Sequence, residues 1–193
     1  MYILFEGIDT CGKSTQIGLL SKYIPDILIT YEPGGTDFGV KAREILLGNI
    51  LHSKRAEILL FLSDRAEHYE SIVKPNIDKI IISDRGFVSG MAYAMANTEL
   101  DFDTLLSLNL FALEDTMPNY IILFVTNRET LVQRLGNKGL DGIEARGVDY
   151  LLQVQSNMQF VVHKLGIPFL EIDATQDIES IATKIKDYLG SKI

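Results

Sequence analysis

The chain has 193 residues, enough for one well-filled domain and short for two. Its 47% hydrophobic and 23% charged content is that of a globular protein, and 26 acidic against 18 basic residues argue against a general nucleic-acid or acidic-membrane binder. The single cysteine, Cys11, excludes an internal disulfide and a Cys-rich zinc site. Together with an N-terminus lacking a basic signal-peptide stretch and apolar runs too short for a membrane span, it predicts a cytoplasmic protein.

In chain order, five short apolar runs at residues 2–6, 27–31, 79–83, 120–125 and 168–172 read as strands, with helical spacing between them. The runs are continuous rather than alternating, as in strands buried on both faces of a parallel sheet. Alternation of strand and helix predicts an α/β three-layer fold, a five-stranded parallel sheet with helices on both faces, over residues 1–193 as one domain. The last helix shows the clearest stripe, Ile178, Ile181, Ala182, Ile185 and Leu189, with Asp177 as its N-cap.

The first run leads into "LFEGIDTCGKST", where Gly7, Gly12, Lys13 and Ser14 fit the phosphate-loop pattern G-x-x-x-x-G-K-[ST]. Strand before and helix after are the context that this chemistry requires. The backbone around Gly7, Thr10, Cys11 and Gly12, with Thr15, is expected to fold about the phosphates of a nucleotide. Lys13 reaches the β/γ-phosphates and Ser14 ligates Mg2+. Asp9, a carboxylate inside an anion cradle, is out of character. Cys11 reads as a filler of the loop, with a redox-sensitive thiol as the alternative.

The second run is followed by "EPGGTDFGVKAR", which carries Arg43 on a helix. "FLSDR" comes next, with Phe61 and Arg65 four apart on one helix face, suited to stacking a base and donating to its carbonyl edge. The third run ends before Asp84, which in a phosphate-loop protein is a metal-side carboxylate and otherwise a turn residue. "DRGFVSGMAY" adds Arg85, then Ser89 and Tyr93 on a shared face. Singly, Phe61 and Tyr93 read as packing residues and Arg43 and Arg65 as solvated ones; their recurrence in order around a phosphate loop suggests a second, acceptor pocket.

Further on, "LLSLNLFAL" from Leu105 is apolar almost all round, so it is either deeply buried or half-buried against a partner. After the fourth run come Arg134 and a polar stretch at 136–147 with four glycines, either a surface loop or a lid. No N-K-x-D guanine signature is present, since "NKGLD" has one residue too many. That leaves ATPases and small-molecule kinases.

With "FEGIDTCGKST", "EPGGT", "FLSDR", "DRGFVSGMAY" and the late "IDATQ", nearly the whole chain resembles the thymidylate (dTMP) kinase family of P-loop nucleoside monophosphate kinases. The resemblance implies ATP-dependent phosphorylation of dTMP to dTDP with Mg2+, in a homodimer. It implies that Phe61 stacks on thymine, Arg65 bonds its O4, and Arg43 and Arg85 grip the dTMP phosphate. Tyr93 crowds the sugar 2′ position, Ser89 lies beside the nucleotide, Asp9 takes the 3′-hydroxyl, and Arg134 lies on the adenine. The family's transition-state arginine is missing from both usual places, which hold Thr10 and Gly142 here. Arg146, or failing it Lys138, is expected to substitute when the lid closes. Ala94 stands where many bacterial relatives carry Gln, so one contact to the base is expected to be lost.

Overall fold

A computed structural model describes residues 1–48, 50–136, 147–190 and 192. The five apolar runs form β1 (Tyr2–Glu6), β2 (Leu28–Tyr31), β3 (Ile81–Asp84), β4 (Tyr120–Val125) and β5 (Phe169–Asp173), all parallel, in the order β2-β3-β1-β4-β5. Three strands begin one or two residues later than the apolar runs suggest. At β3 the reason is local, since the Lys79 amide donates to Asn76 O (2.9 Å) and closes a turn. At β5, Pro168 has no N–H to give to a ladder.

β1 lies at the centre and feeds two cores, because successive side chains leave opposite faces of a strand. Tyr2 and Leu4 join one core, with Val88, Met91, Val154 and Met158. Ile3 and Phe5 join the other, with Ile17, Leu20, Ile181, Ile185 and Leu189. Helices therefore cover both faces. α1 (Lys13–Leu20) and α8 (Ile178–Gly190) lie on one side. On the other lie α4 (Phe87–Asn97) and α7 (Val148–Leu165), with α5 (Phe102–Ala112) and α3 (Lys54–His68) packed against α4. α2 (Asp37–Leu47) packs on α3, and α6 (Arg128–Leu135) follows β4.

Asp177 caps α8 as anticipated, accepting from Ser180 N at 2.9 Å. Its stripe is buried except for Ile178, which is 53% exposed at the first turn. α5 buries Leu105, Asn109 and Ala112 while Phe111 is 86% exposed, so its apolar surface is split between core and outside. The anticipated lid lies outside the described residues apart from its flanking Gly136 and Gly147, and so do Lys138, Gly142 and Arg146. No described helix is long and apolar enough to cross a membrane.

The chain leaves β1 to one side for β2 and β3 and to the other for β4 and β5. In open α/β sheets such a switch point opens a crevice at the carboxyl ends of the strands. The phosphate loop, "EPGGT", Asp84–Arg85 and the turn after β5 all emerge there.

Candidate active site

On the donor side the loop from Gly7 to Gly12 joins β1 to the N-terminus of α1, which presents unpaired N–H groups and a positive dipole end. Lys13 is buried, and its Nζ donates to Gly7 O (2.9 Å) and Ile8 O (3.0 Å). Ser14 Oγ donates to Asp84 Oδ2 (2.8 Å), and Lys13 Nζ stands 4.0 Å from Asp84 Oδ1. The two residues expected to hold the metal, one in the first turn of α1 and one at the end of β3, thus meet. A hydroxyl and one carboxylate are hard oxygen donors, suited to Mg2+, which normally takes few protein ligands alongside phosphate and water. No group of three His, Cys, Asp or Glu suited to a metal occurs among the described residues. Cys11 is buried with its Sγ 3.7 Å from Lys13 Nζ, which matches its reading as a loop filler.

Asp9 is not an isolated carboxylate in an anion cradle. Arg85 Nη2 donates to Asp9 Oδ1 (2.7 Å), while Nη1 donates to Gly7 O (2.7 Å) and Ser89 Oγ (3.1 Å). Arg85 adopts a left-handed backbone (φ 71°), a costly conformation for a residue with a side chain, directly after β3. Behind it, the fully buried Glu6 accepts from Ser89 N (3.2 Å) and from Ser89 Oγ. Burial pushes the Glu6 carboxyl up, against the opposing pull of Ser89 and Arg85. A carboxylate at the end of a buried strand, a serine one helical turn into α4 and an arginine form one relay to the loop.

The acceptor side is a cleft between α2, α3 and α4, lined by Asp9, Arg43, Phe61, Arg65, Arg85, Ser89 and Tyr93. The structure brings together all the expected acceptor residues. Arg43 is exposed, and its Nη1 donates to Pro33 O (3.1 Å). Phe61 is half-buried, Ser89 and Tyr93 buried. Arg65 is 2% exposed, contrary to its reading in isolation as a solvated helix residue. Its Nε donates to Glu32 Oε2 (2.8 Å) and Nη1 to Asn109 Oδ1 (2.6 Å).

Each part of "EPGGT" has a physical role in this wall. Glu32 is buried between Arg65 and His68, whose Nδ1 lies 2.9 Å from Glu32 Oε1. Burial alone would raise the Glu32 carboxyl, but Arg65 and His68 together hold it below its ordinary value. The Glu32–Pro33 peptide is cis. Gly34 N donates to Asp64 Oδ1 (3.2 Å). A Cβ on Gly35 would sit 2.6 Å from Tyr31 O and 2.8 Å from His68 Cδ2, so no larger residue fits without a shift. Thr36 caps α2, accepting from Gly39 N (2.9 Å). Asp64, Arg65 and His68, all from the last turns of α3, therefore fasten the loop that follows β2.

On the far side of the phosphate loop, Arg134 Nη1 donates to Thr10 O (3.1 Å) and Nη2 to Ala174 O (2.8 Å). It joins the loop to the turn after β5 in a cleft shared with Thr15, Gln16, Gln176 and Ile178. Gln16 Nε2 donates to Ile178 O (2.9 Å), a second tie across the same gap.

The sequence does not single out Glu6, Asp64, His68, Asn109 or Gln16, and Glu32 stands in it only as the first residue of "EPGGT". A usable signal existed for Glu6, an acid closing an apolar strand that must be buried on both faces. For the others the signal lies in spatial neighbours far apart in the chain, such as Glu32 and Arg65 or, 162 residues apart, Gln16 and Ile178.

Comparison with known proteins agrees with this geometry. A family model described as thymidylate kinase matches residues 5–185. The thymidylate kinase of Sulfurovum sp. (strain NBC37-1) is 64% identical over 189 residues, covering 98% of this chain and 99% of that protein. That of Campylobacter concisus (strain 13826) is 54% identical over 195 residues, covering both in full. The crystal structure of thymidylate kinase from Ehrlichia chaffeensis superposes with a TM-score of 0.78 at 25% identity, over 98% of each chain. A phosphate loop facing an arginine-lined acceptor cleft, and full-length similarity at this level, lead to one conclusion: this chain belongs to the thymidylate kinase family.

Proposed function

We infer that the protein transfers the γ-phosphoryl group of ATP to dTMP, giving dTDP. The observation that carries this reading is the position of Arg85. It is bonded at once to the phosphate loop, through Gly7 O, and to Asp9 at the mouth of the cleft that holds Phe61, Arg65 and Tyr93. A guanidinium there meets an acceptor phosphate as it approaches the donor, and phosphoryl transfer asks chiefly for such alignment and charge neutralisation.

In this reading the backbone of Thr10, Cys11, Gly12 and Thr15 cradles ATP, Lys13 follows the γ-phosphoryl, and Arg134 lies against the adenine. Arg43 and Arg85 hold the dTMP phosphate, Ser89 lies beside it, and Phe61 stacks on the thymine. Arg65, a pure donor, prefers the O4 of thymine to the amino group of cytosine, since a donor facing a donor leaves both unpaired. Tyr93 crowds a 2′-hydroxyl, and Asp9 accepts from the 3′-hydroxyl. Ser14 and Asp84 would hold Mg2+, which when bound neutralises charge on the transferring phosphates. The segment 136–147 acts as a lid whose Arg146 supplies the transition-state cation. The exposed Phe111 of α5 belongs to a homodimer contact.

A coupled ADP-release assay with dTMP, dUMP, dCMP, dGMP and thymidine tests the activity. Turnover fastest with dTMP is expected; preference for another acceptor, or ATP binding with no turnover, would overturn it. Arg146→Ala should lower kcat by roughly 10³-fold or more if that side chain is the transition-state cation; an unchanged kcat removes the assignment. Light scattering should give twice the chain mass at micromolar concentration, and a monomer removes the dimer.

A further inference from the structure

We propose that Glu32 is the positioning residue that gives this enzyme its preference for thymine over cytosine, by fixing which edge of the Arg65 guanidinium faces the base. The inference rests on the reading of the cleft as a dTMP site. Arg65 alone explains why a carbonyl is preferred to an amino group; it does not explain why its five N–H donors point where they do.

A guanidinium on a flexible stem discriminates only if it cannot turn. Arg65 has two of its three nitrogens committed: Nε to Glu32 (2.8 Å) and Nη1 to Asn109 (2.6 Å). Asn109 is itself fixed, since its Nδ2 donates to Leu105 O (2.7 Å). Glu32 is fixed by a second donor, His68 Nδ1, and His68 by the 2.6 Å contact of its Nε2 with Thr30 Oγ1. Because a carboxylate only accepts, Nδ1 of His68 carries the hydrogen. Glu32, Arg65, His68 and Asn109 are each no more than 4% exposed. The remaining space is closed by α4, where a Cβ on Gly90 would sit 3.2 Å from both Nη1 and Nη2. Glycine at that position lets the helix backbone press on the flat guanidinium. Asp64, the other acid beside this cluster, is engaged with Gly34 N and so holds the loop rather than the guanidinium.

Nη2 makes no hydrogen bond among those described, which leaves it as the donor available to a base in the cleft that Arg65 and Phe61 both line. Replacing Glu32 by Gln exchanges two charged acceptor oxygens for one amide oxygen that Arg65 Nε and His68 Nδ1 must share, so the hold on Nε weakens and the guanidinium gains freedom to rotate away from a repelling amino group. Selectivity should then fall further than phosphoryl transfer does, because the phosphate-binding Arg43 and Arg85 make no hydrogen bond to Glu32 among those described.

The test measures binding of dTMP and dCMP by calorimetry, and KM and kcat for dTMP, in the wild-type enzyme and in Glu32→Gln. A charge-assisted hydrogen bond of this kind corresponds to about 10-fold to 100-fold in affinity. We expect the dTMP/dCMP affinity ratio to fall about 10-fold or more, KM for dTMP to rise, and kcat at saturation to stay within about threefold. A purely structural role would weaken both nucleotides equally, so an unchanged ratio overturns the proposal. Should Glu32→Gln not fold, Glu32→Asp keeps the charge and withdraws it by one methylene. It should lower the ratio in the same sense, and an unchanged ratio there counts equally against the proposal. If the wild-type enzyme itself shows no preference for dTMP, the reading of the cleft fails, and that outcome is separate from a failure of Glu32.

Discussion

In the proposed function the two halves of the crevice would hold anions by different means. The donor half is one contiguous loop and a helix N-terminus, where backbone N–H groups, dipole and Lys13 would do the binding. The acceptor half is assembled from side chains on α2, α3 and α4 and on the loops after β1, β2 and β3, and Arg65 and Arg85 are each backed by a buried acid. Glu6 stands behind Arg85 through Ser89, and Glu32 stands directly behind Arg65. A backbone site needs only local sequence. A side-chain site needs a scaffold that holds long, entropically costly side chains in place, and buried carboxylates supply it here.

The comparison implies that donor-side changes damage chemistry and acceptor-side changes damage binding and the fold. The largest effect should come from Lys13→Ala, which removes the cation from the transferring group. We expect kcat to fall roughly 10²–10³-fold with little change in melting temperature, and a kcat within tenfold of wild type would break the distinction. Next is Arg65→Met, which removes the guanidinium from the buried Glu32 carboxylate and leaves it only His68 among the described residues. Loss of one partner of a buried pair costs about 3–5 kcal/mol, so denaturant unfolding should show a clear loss of stability. A variant as stable as wild type would mean that the pair is not a scaffold.

A smaller effect is expected for Glu6→Gln, which weakens the relay to Arg85 without touching substrate. kcat/KM for dTMP should fall roughly tenfold, the size of one charge-assisted hydrogen bond, with ATP affinity unchanged. Equal losses for both substrates would place Glu6 in the general fold instead. The subtlest test is pH dependence. Burial, and then the charge of Glu32, push the Asp64 carboxyl up to about 6 from an ordinary 3.8. The folded state therefore binds this proton more tightly than the unfolded chain. The resulting stability is present below pH 4 and is lost as pH rises towards 6. Glu32, held low, acts in the opposite sense, and its contribution is lost as pH falls through its depressed value. The stability of wild type relative to Asp64→Asn should thus decline between pH 4 and 6, by as much as about 3 kcal/mol. A pH-independent difference would show that the folded state does not raise the Asp64 carboxyl.

The same contrast explains what was legible in the sequence. The five strands follow from continuous apolar runs, and the phosphate loop from the spacing of Gly7, Gly12, Lys13 and Ser14, because both are local. The acceptor residues Phe61, Arg65, Ser89 and Tyr93 were legible as pairs four apart on a helix. Their burial was not: Arg65 looks like any solvated arginine until Glu32, 33 residues away, is placed beside it. Asp9 looked misplaced for the same reason, since its counter-ion Arg85 arrives from the end of a different strand. Long-range ion pairs leave no periodic trace in a chain.

The most direct test of this two-part account is calorimetric titration of dTMP, without ATP, into the wild-type protein, Lys13→Ala and Arg65→Met. An acceptor site built in advance by buried pairs predicts equal dTMP affinity in wild type and Lys13→Ala, and a loss of about 10-fold or more in Arg65→Met. Loss of dTMP binding in Lys13→Ala, or its retention in a folded Arg65→Met, would contradict it.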